Sequence, residues 1–519
     1  MITPKSRTLS NLTETISDNE YNQPNRAYHG QVLDGSATRI QQTAIDNAGD
    51  SILITNAEIY NYTAIAQPLI DVRITGSKIT AMGTLTRLDR EEVIDARGGS
   101  LLPSLADHHI HLLALAARSA SIVCGPPEIN TETALAHLLE QQSAGTTWIR
   151  GVAYHESVAG IIDRHWLDQH LPDRPVRIQH RSGRLWIINS KGLEILRPGS
   201  KEAQPSGMSW DKGQLYDEDL WLHQRLAACP PDLSQISRDL ARFGVALVTD
   251  MTPRNDQFMA NYLSSQQQQN KLLQDIVIAG RPSLSRLEGP LYGNRLKIGP
   301  TKIHLHEAKL PDFYEVCRLI IESHCESRPV AFHCVTETEL VFALAAISEA
   351  GPVKGDRIEH ASIVPSNLLK SLSELNLLVV TQPNFILERG DQYLGDLSHE
   401  DLPGLYRCRG FLDHGIELAG GTDAPFGNAD PWRAMQAAVS RQSYNSRTIN
   451  TSEALTPEQA ISLFLGELDN PGHQRKLETG ELAHMCLLNC NWRKARQNLN
   501  ANQVIATWRA GVLIHNSVN

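Results

Sequence analysis

The hydrophobic pattern changes twice along the chain. Residues 1–50 are polar, rich in Asn, Thr, Asp and Gln, and show no apolar period. They are expected to form a partly ordered arm. From Ser51 onward short β-type runs appear: Ser51-Ile-Leu-Ile-Thr-Asn-Ala-Glu-Ile, Leu69-Ile-Asp-Val-Arg-Ile and Ser77-Lys-Ile-Thr-Ala-Met, punctuated by Gly76 and Gly83. Apolar and polar positions alternate loosely in them, as in a half-buried sheet. Residues 51–102 therefore read as the first part of a β-sandwich module. From 103 to about 440 strand-like runs alternate with helical stretches. Helices are expected at 131–143, 231–243 and 311–325, and strands at 245–249, 302–305, 330–334, 377–381 and 417–420. Such repetition predicts parallel βα units. The segment is long enough for a (β/α)8 barrel, typically ~250 residues plus insertions. A doubly wound sheet is the rival, but no GxGxxG opens a helix after a strand. Helical texture continues to about Gly466. Short β runs return at 486–488, 504–508 and 512–515. The predicted class is α/β: a TIM-like barrel over 103–470, with 471–519 completing the β-sandwich module begun at 51.

Composition narrows the class. The chain has 519 residues, 41% of them apolar and 20% charged, which suits a folded globular protein. Its 48 basic and 58 acidic residues give a net charge of −10 with no basic block. A nucleic-acid groove or a polybasic membrane patch is not expected as the main business. No apolar run reaches the roughly 18 residues of a membrane helix. The first twenty residues hold no continuous apolar core, so they are not expected to act as a signal peptide. The eight cysteines, Cys124, Cys229, Cys317, Cys325, Cys334, Cys408, Cys486 and Cys490, include no CxxC pair. Scattered in this way they suggest reduced thiols and a cytoplasmic protein.

Several of the 20 histidines fall inside apolar runs. In Asp107-His108-His109-Ile110-His111, strand alternation places Asp107, His109 and His111 on one face. Two imidazoles at i, i+2 form a chelating pair suited to zinc, iron, nickel or copper. The bland alternative is a pair of structural histidines. In Lys302-Ile-His304-Leu-His306-Glu307, Lys302 shares a face with His304 and His306. A buried lysine loses its proton readily, and the neutral amine can take up carbon dioxide as a metal-bridging carbamate. The plain alternative is a lysine reaching solvent or pairing with Glu307. His333 and His360 each end a short β run, on the face where barrel active sites are built. Asp423 follows strand residues 418–420 just before Pro425, as a metal ligand and proton shuttle or as an Asx turn. Assigned in chain order, the set His109, His111, Lys302, His333, His360 and Asp423 comes from barrel strands 1, 4, 5, 6 and 8. That ordering is more specific than any one member.

With these motifs in hand, the chain resembles the amidohydrolase superfamily, and within it the amidohydrolase-3 group of YtcJ-like and N-substituted formamide deformylase-like proteins. The resemblance runs from about Ile52 to Val512. It rests also on Thr147-Trp-Ile-Arg-Gly151, Leu171-Pro-Asp-Arg-Pro-Val176, Asn189-Ser-Lys-Gly-Leu193, Gln382-Pro383, Asp430-Pro431 and Leu477-Glu-Thr-Gly-Glu-Leu-Ala483. It implies one or two divalent ions, zinc by preference. His109 and His111 would bind the more buried ion, carboxylated Lys302 would bridge, His333 and His360 would bind the second ion, and Asp423 would bind the first ion and the attacking water. Asp423 and His360 would be catalytic. The implied reaction is hydrolysis of a non-peptide C–N bond. A deaminase or lactonase on the same barrel, or a catalytically silent relative, stays open. The expected partner is a small-molecule substrate, with neither nucleic acid nor membrane. Barrels of this kind often pair, so a homodimer is a further expectation.

The sequence departs from that group near the expected pocket. Relatives usually carry a histidine where Arg184 stands, an aspartate where His306 stands, and often an acidic residue where His155 stands. The three are substrate-binding candidates. Arg184 could fork to a carboxylate or phosphate or sit in a surface salt bridge. In the C-terminal module the usual Ala-Asp is Ala483-His484.

Overall fold

The computed structural model describes residues 51–517, apart from 127, 146, 200–203, 227–229 and 287–294. The expected N-terminal arm lies outside the described residues. Eight parallel strands succeed one another in chain order: Leu105–Ile110, Val245–Asp250, Asp275–Gly280, Leu296–His304, Val330–Cys334, Arg357–His360, Leu378–Thr381 and Leu418–Gly420. Several of these strands, such as Val245–Asp250 and Leu378–Thr381, are buried along their whole length. Strands covered on both faces read as continuous apolar runs rather than as alternation. Helices pack outside, several of them opened by side-chain caps. Thr336 and Glu339 form a reciprocal capping box at the helix Glu337–Ala350.

The eighth and first strands share no ladder. They are joined at the mouth by Asp423 N–H donating to His109 O (2.7 Å) and His111 N–H donating to Ala424 O (2.9 Å). Gly421 permits the approach, because a Cβ there would stand 2.4 Å from the Cβ of His109.

Strands from both chain ends do meet, but in a single ladder of eight strands instead of two facing sheets. Ser51–Ile59 pairs with Leu69–Thr75, Glu92–Asp95 and Ser100–Pro103, and the last of these pairs with Met485–Leu488. The ladder curls over a core that includes Ile54, Val72, Leu101, Met485 and Trp508. Its two ends come so close that a Cβ on Gly511 would lie 2.0 Å from Gly76 O.

A second departure lies inside the barrel segment. Strands between Ile122 and Tyr216 form a separate six-stranded sheet, inserted between barrel strands 1 and 2, with apolar clusters of its own. Its βα texture is the same as the barrel's, so periodicity alone assigned it to the barrel. Among the described residues no helix is long and apolar enough to cross a membrane.

Candidate metal centre

The six residues singled out above stand on barrel strands 1, 4, 5, 6 and 8 or just beyond them. His109 and Lys302 lie within strands 1 and 4, His333 and His360 at the ends of strands 5 and 6. His111 stands immediately before the helix that follows strand 1, and Asp423 follows strand 8. His360 and Asp423 have left-handed backbones, with φ of 69° and 54°. Each such non-glycine residue costs about 1–3 kcal/mol and persists where the surroundings impose it.

His109, His111 and Asp423 each offer one ligand atom within 4.8 Å of the others. Asp423 Oδ1 lies 3.4 Å from His109 Nε2 and 3.2 Å from His111 Nε2. The opposite nitrogen of each ring is engaged elsewhere. His109 Nδ1 meets Glu359 Oε2 at 2.5 Å, His111 Nδ1 meets Thr252 Oγ1 at 3.0 Å, and His360 Nδ1 meets Gln382 Oε1 at 2.8 Å. Holding Nδ1 fixes tautomer and orientation and leaves Nε2 for a cation. The imidazoles form a file: ring centroids are 4.7 Å apart for His109 and His360, 4.5 Å for His360 and His333, and 4.2 Å for His333 and His304.

Two buried polar atoms here have no hydrogen-bond partner, Lys302 Nζ and Asp423 Oδ1. Orphans of this kind are expensive unless a ligand or ion completes them. The donor set therefore fits a cation. Burial lowers the Lys302 amine to about pH 8, far below an ordinary lysine. Burial also lowers His360 to about 3, and His109 and His333 move in the same direction. Neutral imidazoles are the metal-binding form. Burial would raise Asp423, but the imidazole of His111, ahead of those of His109 and His360, holds it below the usual carboxylate range.

Glu359 was not foreseen as part of the site. It is fully buried, pairs with Arg357 and holds His109. Strand alternation would turn Glu359 and His360 to opposite faces. The left-handed turn at His360 breaks the alternation, and both side chains meet His109. Thr252, the partner of His111, was missed for want of any local signal; Gln382, the partner of His360, had been noted only within the stretch Gln382-Pro383 and given no role. Asp107, two residues before His109, does not join the ligands. Its carboxylate accepts from Thr422 N (3.0 Å), Thr422 Oγ1 (2.5 Å) and His109 N (3.1 Å), and burial lifts it to about 7.

Of the three expected substrate contacts, His155 lines a broad cleft between the inserted sheet and the loop after strand 8. His306 is exposed in a smaller groove beside His304 and His333. Arg184 forks to Asp217 in an exposed pair, at 2.8 and 2.5 Å, the surface salt bridge that stood as its alternative, and lines neither hollow. Asp217 lies 33 residues along the chain, so only the folded sheet brings the two together.

The profile described as the Amidohydrolase family matches residues 92–515. The putative amidohydrolase YtcJ of Bacillus subtilis (strain 168) is 22% identical over 439 residues, covering 72% of this chain and 80% of that protein. The N-substituted formamide deformylase of Arthrobacter pascens is 22% identical over 548 residues, covering 89% and 98%. Among solved structures, an uncharacterized metal-dependent hydrolase from Pyrococcus horikoshii superposes with a TM-score of 0.71 at 21% identity, covering 85% of this chain and 97% of that one. At that identity the likeness establishes the fold alone.

Proposed function

The chain belongs to the amidohydrolase family, and from that premise we propose that it is a metal-dependent hydrolase cleaving a non-peptide carbon–nitrogen bond of amide type. The observation that carries this reading is the convergence of His109 Nε2, His111 Nε2 and Asp423 Oδ1, with the Nδ1 atoms of both rings held away. The spacing supports zinc. Ligand atoms about 2.0–2.1 Å from a tetrahedral ion stand roughly 3.3–3.4 Å from one another, and the two distances to Asp423 are 3.4 and 3.2 Å.

His109, His111 and Asp423 would hold one ion, and His333 and His360 a second. Lys302 would bridge them as a carbamate. Its neutral amine adds carbon dioxide and releases a proton, and the resulting anion fills the place of the unpartnered Nζ. A bound divalent ion lowers the pKa of water from 15.7 to roughly 7 and polarises a carbonyl. Asp423 takes the proton from the attacking water and passes it to the leaving nitrogen, help worth about 10²–10⁴-fold. The second ion, or His360 where it is free of metal, would polarise the carbonyl. Unpaired cysteines, seven of them among the described residues, support a cytoplasmic setting.

The same ligands would serve a deaminase or a lactonase. The deciding experiment measures metal content and screens the stripped and the zinc-reloaded protein on N-formyl, N-acyl and cyclic amides, with lactones and aminopurines alongside. Amide turnover that disappears on stripping and returns on reloading is expected, and Asp423→Asn should lower it at least a hundredfold. A folded protein that binds no divalent metal, or one active only on the other substrates, overturns the proposal.

A further inference from the structure

His109, Lys302, His360 and Asp423 are all buried, so an ion that reaches them must first pass other groups. The groove beside His333 supplies such groups. It has a volume of about 600 Å³, lies between the loops that follow strands 4 and 5, and is lined by His304, His306 and His333. Along strand 4, Ile303 and Leu305 pack outward into the main core, and alternation leaves Lys302 and His304 on the inner face. His304 pairs in register with His333. Their rings stack, with centroids 4.2 Å apart and planes inclined at 26°. His304 is therefore the outer end of the file of imidazoles that runs through His333 and His360 to His109. Exposure rises along that file. His109 and His360 are buried, His333 is half-buried, and His304 is exposed, as is His306 two residues on. Among the described residues, the side chains of His304, His306 and His333 make no hydrogen bond or ion pair.

Charge sets this groove apart from the broad cleft. Besides the imidazoles its charged residues are Glu307 and Glu339, and no lysine or arginine lines it. Glu339 accepts from the backbone N–H groups of Glu307 (2.9 Å), Val335 (2.7 Å) and Thr336 (3.2 Å), which leave its negative charge in place. Glu307 is exposed at the rim. The broad cleft sets four arginines against four carboxylates and touches none of the candidate ligands. A groove with carboxylates and no fixed positive charge raises the local concentration of cations. Its imidazoles suit zinc and similar ions. Among the described residues the one group of three convergent ligand atoms is the inner one, His109, His111 and Asp423. An ion at the rim thus has fewer protein ligands than one at the centre, and the gradient of binding runs inward.

We propose that His304 and His306 form the entrance for the metal: they capture a divalent ion from solvent, and His304 hands it to His333 at the edge of the buried centre. Each handover is a ligand exchange, in which a water or an imidazole leaves the ion as the next ring nitrogen binds. This rests on the metal-dependent reading of the centre and adds the route by which the ion arrives. Groups on the route but outside the resting site change entry and exit by the same factor. The dissociation constant, which is the ratio of the two rates, is then unchanged.

The test uses stripped full-length protein and zinc buffered by a weak chromophoric chelator. Stopped-flow absorbance reads uptake, and transfer to a strong chelator reads release. His304→Phe keeps a ring against His333 and removes the nitrogens. Combined with His306→Ala it should slow uptake and release alike, by on the order of tenfold, with the affinity and the number of ions bound at equilibrium unchanged. His304→Asp, which returns a ligand atom, should recover part of the rate. Glu307→Gln should slow uptake at low salt and have little effect at high salt. Wild-type rates in the double variant overturn the proposal and leave the centre standing as a metal site. A weaker equilibrium affinity in that variant also overturns it, because it would make the rim part of the resting site. Stripped protein that takes up no zinc refutes the reading of the centre as well.

Discussion

Glu359→Gln separates the orientation of a metal ligand from the ligand itself. The carboxylate is fully buried, accepts from His109 Nδ1 at 2.5 Å and faces the Arg357 guanidinium. Glutamine keeps the shape and can still accept from Nδ1, but it removes the negative charge. Loss of an outer partner of this kind costs about 10–100-fold in metal affinity, or roughly 1.4–2.7 kcal/mol. A second cost arises on the other side. Arg357 retains bonds to His108 O (2.8 Å) and Met251 Sδ (3.4 Å), both neutral. Breaking one half of a buried ion pair costs about 3–5 kcal/mol, so the melting midpoint should fall by several degrees. Chelator competition on stripped protein reads the first effect, and calorimetry of the metal-free protein reads the second. Glu359→Gln combined with Arg357→Met should recover much of the stability and none of the metal affinity, because the buried charge is gone and the lost anion is not restored. Wild-type metal affinity in Glu359→Gln would refute the assignment of Glu359 as the group that holds His109.

Two further outcomes follow from buried groups elsewhere. Lys302→Ala should bind less metal and lose activity, and bicarbonate added with zinc should speed recovery of the stripped wild type but not of the variant; full activity in Lys302→Ala would show that no bridge is needed. His484 is buried, sits near Arg475 and Arg509, and accepts from Ala510 N at 3.2 Å; burial lowers it to about 3. Since an unfolded histidine titrates near 6.5, the stability tied to its neutral form is complete above pH 6.5 and is lost as pH falls toward 3, at about 1.4 kcal/mol per pH unit. Denaturant titrations between pH 4 and 7 should show a shallower slope for His484→Asn than for the wild type, and parallel slopes would refute it.

The candidate ligand motifs were legible because general rules of strand and barrel geometry bear on them. Side chains at i and i+2 share a strand face, and the C-terminal ends of barrel strands converge. What escaped depends on distant partners. The six-stranded insertion has barrel-like runs, and nothing local states which sheet a strand will join. Arg181 and Arg184 stand on one turn with the same chemistry. Only the arrival of Asp217 beside Arg184 decides which guanidinium is left for the cleft. The single ladder formed by the chain ends likewise depends on pairing between Ser100–Pro103 and Met485–Leu488, far apart in sequence.

Asp107 carries the same lesson into the site itself. Its place two residues before His109 lends weight to a metal motif, yet its oxygens face Thr422 and the backbone rather than the ligand atoms. The seam where it sits has no ladder, although the three candidate ligand residues lie on both sides of it. Strands elsewhere in the barrel keep their spacing through backbone pairing. Here the spacing between His109 and Asp423 depends on three hydrogen bonds to one carboxylate, two cross-strand backbone bonds and the missing side chain of Gly421. The aspartate of the motif thus holds the candidate ligands of the two strands at a fixed separation, a role that becomes visible only once strand 8 lies against strand 1.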